Sequence, residues 1–284
     1  MAQGASRGVP EETTQGAGSM RAWSAMPRSA SPVHGSRGVP SHTMCLVTCE
    51  HGGNRVPREL ASRFHDWHDL LASHRGYDPG ALATARTLAR VLGAPLVAST
   101  VSRLVADLNR SPGRQFRGSP IMRVAPPTVR ARANERYYAP YRAEVEHIVG
   151  DAVRAGACVV HVSAHSFTPS LDGAVRRADV GLLYDPARVV ERELCARWQR
   201  ALAERVPSLR VRRNYPYLGR SDGLTTYLRR RFDTGRYAGV EIEVNQRLCE
   251  AGALPPAVRR AIALALRDAL AGGALEAVSA RDCP

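Results

Sequence analysis

The sequence predicts an α/β protein, a three-layer sandwich with a mixed, mostly parallel central sheet. Three observations carry this expectation. The runs Met44–Cys49, Pro95–Thr100, Cys158–Ala164, Val180–Tyr184 and Gly239–Val244 are rich in Val, Leu and Ile on consecutive positions, the mark of strands covered on both faces. Longer segments with helix start and stop signals lie between them, which favours strand–helix alternation. The chain of 284 residues is 44% hydrophobic and 23% charged, an ordinary globular balance with enough length for one large core.

Taken in order, residues 1–42 are rich in Gly, Ser, Pro and Ala and repeat Ser-Arg-Gly-Val-Pro at Ser6–Pro10 and Ser36–Pro40. They read as a disordered tail. They have no apolar stretch of the kind a secretory signal needs, although Arg without much acid leaves an organelle-targeting reading open, and Met20, Met26 or Met44 could be the true start. A single domain is expected over 43–280. Its first strand is Met44–Cys49. Asp78-Pro79 then opens a helix to about Leu92, with Asp at the N-cap and Gly93 closing it. After the strand Pro95–Thr100 comes a further short strand, Ser102–Arg110. Thr128–Ala155 reads as helix interrupted near Pro140, Pro186–Arg205 as a helix opened by Asp185-Pro186, and Pro256–Ala271 as the last helix.

The net charge of +14 comes from 40 basic residues, all of them Arg. Nucleic-acid binding needs a clustered basic stripe or aromatic residues set between cations. Here the densest groups, Arg210/Arg212/Arg213 and Arg229/Arg230/Arg231, are short, so a compositional bias explains the charge better. No apolar run approaches the roughly 18 residues that span a bilayer. Cys45, Cys49, Cys158, Cys195, Cys249 and Cys283 form no CxxC pair, and Cys45 and Cys49 stand too far apart along a strand to bridge. They read as reduced structural residues of a cytoplasmic protein.

Sheets of this type bind ligands beyond the carboxyl ends of their strands, so polar residues directly after an apolar run are the candidates. After Met44–Cys49 comes Glu50-His51-Gly52-Gly53-Asn54, where two glycines permit a tight turn that presents an imidazole. In His161-Val162-Ser163-Ala164-His165-Ser166 the strand period places His161, Ser163 and His165 on one face. His165 falls at the ligand-binding end, and His161 reads as a buried supporting residue. Two histidines from different strand ends and one carboxylate make a catalytic zinc site with an open position. Glu50, Asp78 and Asn54 are the available third partners. Asp78 has a competing reading as helix N-cap, Asn54 is a poor zinc ligand, and Glu50 should point away from His51 if the strand continues that far.

Two more places qualify. Asn109-Arg110 joins an amide to a planar guanidinium fork, which suits a carboxylate, with Asp107 as a partner to orient Arg110. In Glu241-Ile242-Glu243-Val244-Asn245-Gln246 two carboxylates share one face of an apolar strand, a costly arrangement unless that face meets a polar site. A desolvated Glu there would have the raised pKa that general-base work uses.

With these places in view, the chain resembles the N-formylglutamate amidohydrolase family from about Cys45 to about Gln246. The resemblance rests on Cys-Glu-His-Gly-Gly-Asn-Arg-Val-Pro (Cys49–Pro57), Ser-Arg-Leu-Val-Ala-Asp-Leu-Asn-Arg (Ser102–Arg110) and His-Val-Ser-Ala-His-Ser-Phe-Thr-Pro (His161–Pro169). It continues in Gly-Leu-Leu-Tyr-Asp-Pro (Gly181–Pro186), Asn-Tyr-Pro-Tyr (Asn214–Tyr217) and Glu-Ile-Glu-Val-Asn-Gln (Glu241–Gln246). It implies a zinc-peptidase-like fold holding one zinc ion, with His51 and His165 as ligands. It also implies Asn109 and Arg110 as carboxylate binders and Glu243, in the Glu-x-Asn position, as base. The related carboxypeptidase pattern would place a carboxylate at 54, where this chain has Asn54. Asp78 is therefore taken as third ligand, because the family commonly carries an Asp in a loop preceding a helix.

The implied reaction is hydrolysis of an N-acyl amide of an acidic amino acid, N-formyl-L-glutamate foremost. Arg103 would help to stabilise the oxyanion, and Arg220, in the loop Asn214–Gly223, would be a second carboxylate contact. A carboxypeptidase or another N-acyl amino acid deacylase of the same fold would use the same residues. A non-enzymatic protein binding an acidic ligand or nucleic acid is the alternative of a different class, and it would tolerate loss of Glu243.

Overall fold

A computed structural model of the chain describes residues 43–250 and 252–271. The expected tail at 1–42, Cys283 and the last residues of the expected domain lie outside the described residues. The elements, in chain order, are β1 (Thr43–Cys49), a 3-10 segment (Arg58–Phe64), α1 (His68–Ala72), α2 (Ala81–Leu92), β2 (Leu96–Ala98), α3 (Pro120–Arg123) and α4 (Pro127–Ala133). A π-helical segment (Asn134–Tyr138) leads into α5 (Ala139–Arg154), β3 (Cys158–Phe167), the hairpin of β4 (Ser170–Leu171) and β5 (Ala174–Val175), β6 (Val180–Leu183) and α6 (Val189–Arg205). They end with β7 (Val211–Arg213), α7 (Leu224–Arg229), β8 (Tyr237–Asn245), a 3-10 turn (Gln246–Leu248) and α8 (Pro256–Ala271).

Six strands form one sheet in the order β2-β1-β3-β8-β6-β7. β2, β1, β3 and β8 run parallel, β6 is antiparallel to β8, and β7 is parallel to β6. The expected mixed, mostly parallel sheet with helices on both faces is the observed one. The period-2 alternation of side chains separates two environments. Val47, Val160, Val162, Val240, Ile242 and Val244 pack with residues of α2, α6 and α8 into the largest buried cluster. There Trp198 of α6 also donates its indole N–H to the Ile262 carbonyl of α8 at 3.1 Å. On the opposite face Leu46, Val159 and Tyr237 meet α5 and α7 through Tyr141, Val145, Leu224 and Leu228. The intervening positions of that face are polar: Thr48 on β1, His161, Ser163 and His165 on β3, and Glu241 and Glu243 on β8. The register sets Thr48 beside Ser163, Ser163 beside Glu241 and His165 beside Glu243.

Two local expectations are corrected. Ser102–Arg110 is a succession of turns. Its apolar residues are buried as expected of a strand, but its N–H groups donate to carbonyls of turns and neighbouring loops and to two side chains. Ser102 Oγ accepts from the Leu104 N–H at 3.2 Å, and Asp107 Oδ1 accepts from the Asn109 N–H at 3.1 Å, local bonds that compete with a sheet ladder. Asp78 does not cap α2. That helix starts at Ala81 behind Gly80, whose φ of 81° leaves no Asp side chain at the N-cap, so the Asp78 carboxylate is free to turn elsewhere.

A buried ion pair supports the far side of the sheet. Arg229 Nε donates to Glu191 Oε1 at 2.9 Å, and its terminal nitrogens reach the Gly219 and Gly239 carbonyls at 2.6 Å each. Glu191 also accepts from the Asp185 and Gly239 N–H groups. This saturates both charges, the condition under which burial is tolerable. Through Gly219 the pair also fastens the loop that follows β7.

Candidate metal centre and active-site cavity

The carboxyl ends of β1, β3 and β8 open on a cavity of about 330 Å³. His51, Asp78 and His165 meet at its floor, each buried, with one ligand atom from each lying within 4.8 Å of the others. Asp78 Oδ2 is 3.3 Å from His51 Nδ1 and 2.9 Å from His165 Nδ1. His51 reaches this point because the chain turns at Glu50-His51 under glycines that come against the next strand. A Cβ on Gly52 would stand 2.8 Å from the Ser99 carbonyl oxygen, which already accepts the Gly52 N–H at 3.0 Å.

The outer nitrogens of both rings are also held. His51 Nε2 lies 2.7 Å from Asp107 Oδ1, and Arg103 grips the other oxygen of that carboxylate at 2.8 Å. His165 Nε2 lies 2.9 Å from Ser163 Oγ and 3.2 Å from Glu50 Oε2. Two nitrogens and one carboxylate oxygen directed at one point, with oxygen atoms beside each of the remaining ring nitrogens, match what a three-ligand zinc site uses. The residues fit the ion.

The charges agree with that chemistry. Burial alone would raise the Asp78 pKa, but His51, His165 and Arg103 together hold the carboxyl well below the usual range. Asp107 is held down in the same way, against burial, by Arg103 and His51. Burial opposes a charge on His165, yet Asp78 and Glu50 prevail and raise its pKa well above normal. Glu243 behaves oppositely. Burial, with lesser contributions from Asp78 and Glu241, pushes its carboxyl up to about 8, and Oε2 is buried with no hydrogen-bond partner among the described residues.

Around this floor the cavity takes Arg103, Asn109, Arg110 and Glu241 from the expected residues. The Asn109 amide is engaged: Oδ1 accepts from the Leu224 N–H at 2.6 Å and Nδ2 lies 3.2 Å from His165 Nε2. Arg110 is partly exposed and donates to the Asp222 carbonyl at 2.8 Å. Asp107 is only 4.0 Å from the Arg110 Nε, so its closer task is His51. Arg220 is exposed and is not among the lining residues, although Tyr217, Leu218, Ser221 and Asp222 of the same loop are. Asn54 is exposed and away from the cavity.

His161 is a supporting residue: its ring bridges Thr48 Oγ1 at 2.8 Å and the Tyr237 hydroxyl at 2.7 Å. Burial lowers its pKa to about 4. The residues that sequence reasoning did not single out, His74, Phe167, Tyr217, Leu218 and Asp222, come mostly from loops, where no periodicity marks them. Of these, Phe167 lay inside the motif His161–Pro169 and Tyr217 inside Asn-Tyr-Pro-Tyr.

Comparison with known proteins follows the same lines. The family model described as N-formylglutamate amidohydrolase matches residues 43–249. A solved structure of a gene product from Agrobacterium tumefaciens is 31% identical, with a TM-score of 0.66, over 84% of this chain and 92% of that one. The crystal structure of N-formylglutamate amidohydrolase from Ralstonia eutropha JMP134 is 22% identical, with a TM-score of 0.58, over 82% of this chain and 96% of that one. The likeness to the latter is one of fold. Among curated proteins nothing matches.

Proposed function

The chain belongs to the N-formylglutamate amidohydrolase family, a family of hydrolases, and we propose that it is a zinc-dependent enzyme cleaving the N-acyl amide of an acidic amino acid, N-formyl-L-glutamate to formate and glutamate first of all. The observation that carries the reading is Glu243. A buried carboxyl with an unpartnered oxygen, facing a cavity beside a His-Asp-His cluster, has no structural reason to be there and an obvious chemical one. When bound by His51, Asp78 and His165, zinc supplies Lewis acidity, making water a better acid and polarising the acyl oxygen.

Glu243 takes the proton of the attacking water as the new C–O bond forms and returns it to the nitrogen as the C–N bond breaks. The two products are a carboxylic acid and an amine. Arg103, fixed on Asp78 and Asp107, turns positive charge toward the developing oxyanion. Asn109 and Arg110 hold the α-carboxylate. The second carboxylate of glutamate falls to Arg220, which requires the loop Asn214–Gly223 to bring that residue inward on binding.

The five described cysteines are free, which suits the cytoplasm, and no described helix is long and apolar enough to cross a membrane. The deciding experiment is formate release from N-formyl-L-glutamate by zinc-loaded protein. No formate, with cleavage of other N-acyl amino acids, would remove the substrate assignment and leave the reaction class. No cleavage of any N-acyl amide would remove both.

A further inference from the structure

Glu50 is fully buried and does not line the cavity, yet it keeps a carboxylate in the interior. Removing a carboxylate from water is costly unless hydrogen bonds replace the lost hydration. Three donors do so. Ser163 Oγ donates to Oε2 at 2.6 Å, the Tyr141 hydroxyl of α5 donates to Oε1 at 3.0 Å, and His165 Nε2 stands 3.2 Å from Oε2.

The arrangement mirrors the one on the other ligand. His51 directs Nδ1 at Asp78 and Nε2 at Asp107, while His165 directs Nδ1 at Asp78 and Nε2 at Ser163 and Glu50, with the Asn109 amide nitrogen 3.2 Å from that same Nε2. A neutral imidazole offers one lone pair only. Whichever nitrogen carries the proton cannot ligate, and an anionic acceptor fixes the proton on the nitrogen it faces. The strand ends at Cys49 and Glu50-His51 is a turn. One dipeptide therefore supplies a ligand from its second residue and, from its first, a carboxylate behind the other ligand.

We propose that Glu50, acting through Ser163 and directly, is a positioning residue of the metal centre that holds His165 with the proton on Nε2 and the lone pair of Nδ1 toward the ion. This role rests on the zinc reading above. Tyr141, whose single hydroxyl proton is shared with the Val97 carbonyl at 3.2 Å, ties that carboxylate to β2 and α5, so ring orientation is set by the sheet as well as by the cavity.

The test is zinc affinity of the full chain, measured by competition with a chromogenic chelator, together with nitrogen NMR of labelled histidines in the zinc-loaded protein. Glu50→Gln should bind zinc about 10- to 100-fold more weakly, the usual cost of losing an outer-shell partner. In the parent, His165 should show a slowly exchanging Nε2 proton and a metal-shifted Nδ1, and in the variant that pattern should be lost or mixed. A purely structural role would lower the melting temperature of the metal-free protein and leave the histidine pattern intact. If Glu50→Gln fails to fold, Ser163→Ala, which keeps the carboxylate and removes the bridging hydroxyl, is read the same way and should weaken zinc binding several-fold. Parental zinc affinity with an unchanged His165 pattern in the folded variant overturns the proposal. A parent chain that takes up no zinc overturns the metal reading itself, and this role with it.

Discussion

Oδ2 of Asp78 lies 2.9 Å from Nδ1 of His165, and the same oxygen lies 3.3 Å from Nδ1 of His51. One carboxylate oxygen thus stands between two ring nitrogens brought from different strands. Three such groups confined so closely could hold a metal ion, the donor set that zinc takes. Purified protein should contain one equivalent of zinc by elemental analysis, and His51→Ala, His165→Ala and Asp78→Ala should each contain almost none. Retention of full metal by any of the three would remove that residue from the ligand set.

Glu243→Gln should keep the metal and lose turnover. The substitution preserves shape and removes the proton acceptor, a loss of about 10²- to 10⁴-fold in kcat for general acid–base catalysis. Zinc content and kcat measured on the same preparation check it. Substantial turnover would favour a different base.

The Glu243 carboxyl stands at about 8 in the fold against an ordinary 4.5. Between those values the folded, metal-free protein holds a proton that the unfolded chain has released. Stability therefore falls as pH rises through that window, by up to about 1.4 kcal/mol per pH unit for one such group. Below about 4.5 this contribution is present in full, and above about 8 it is gone. Urea midpoints at several pH values in the presence of a chelator should show the fall, and Glu243→Gln should flatten it. An unchanged slope in that variant would assign the effect to other groups.

Arg110→Ala should raise KM for N-formyl-L-glutamate more than it lowers kcat, because the contact is to a part of the substrate that does not react. Arg220→Ala should raise KM for that substrate and leave N-formyl amino acids with neutral side chains unaffected. Equal effects on both substrate types would exclude a contact to the second carboxylate.

Glu191→Ala leaves Arg229 buried beside backbone carbonyls with its counter-charge removed. The expected cost is about 3–5 kcal/mol, seen as a lower denaturant midpoint with an unchanged slope. Because Arg229 also holds the Gly219 carbonyl, catalysis should suffer even where the variant is folded.

Much of the fold was legible because β1, β3 and β8 are buried on both faces and their Val and Ile runs leave no other reading. Their strand ends in turn located His51, His165 and Glu243. Asp78 was harder. Asp-Pro before an amphipathic segment is an ordinary helix start, and only Pro79 and Gly80, the latter with a left-handed backbone, separate the carboxylate from the helix. Alternation would set Glu50 opposite His51 if the strand continued, but the strand stops at Cys49, and Glu50 and His51 both approach the His165 ring from the turn, Glu50 outside the cavity. Leu104, Val105, Ala106 and Leu108 read as a strand because they are apolar, but an apolar run does not distinguish a strand from buried turns whose donors are met by other loops and by the Ser102 and Asp107 side chains. The pairing of Asp107 with His51 spans 56 positions, and nothing local in the sequence signals it.

The loop after β7 lies on the sheet where Gly181 offers no side chain: a Cβ there would come 1.9 Å from the Tyr215 carbonyl oxygen. That missing atom sets how closely Tyr217 and Leu218 can approach the cavity. Enlarging residue 181 would lift the wall from behind, reshaping the room for a substrate, and would set the added atom 3.4 Å from the Cβ of Glu243, its partner across the strands. The clientele of such an enzyme could therefore drift through a position that meets neither metal nor substrate.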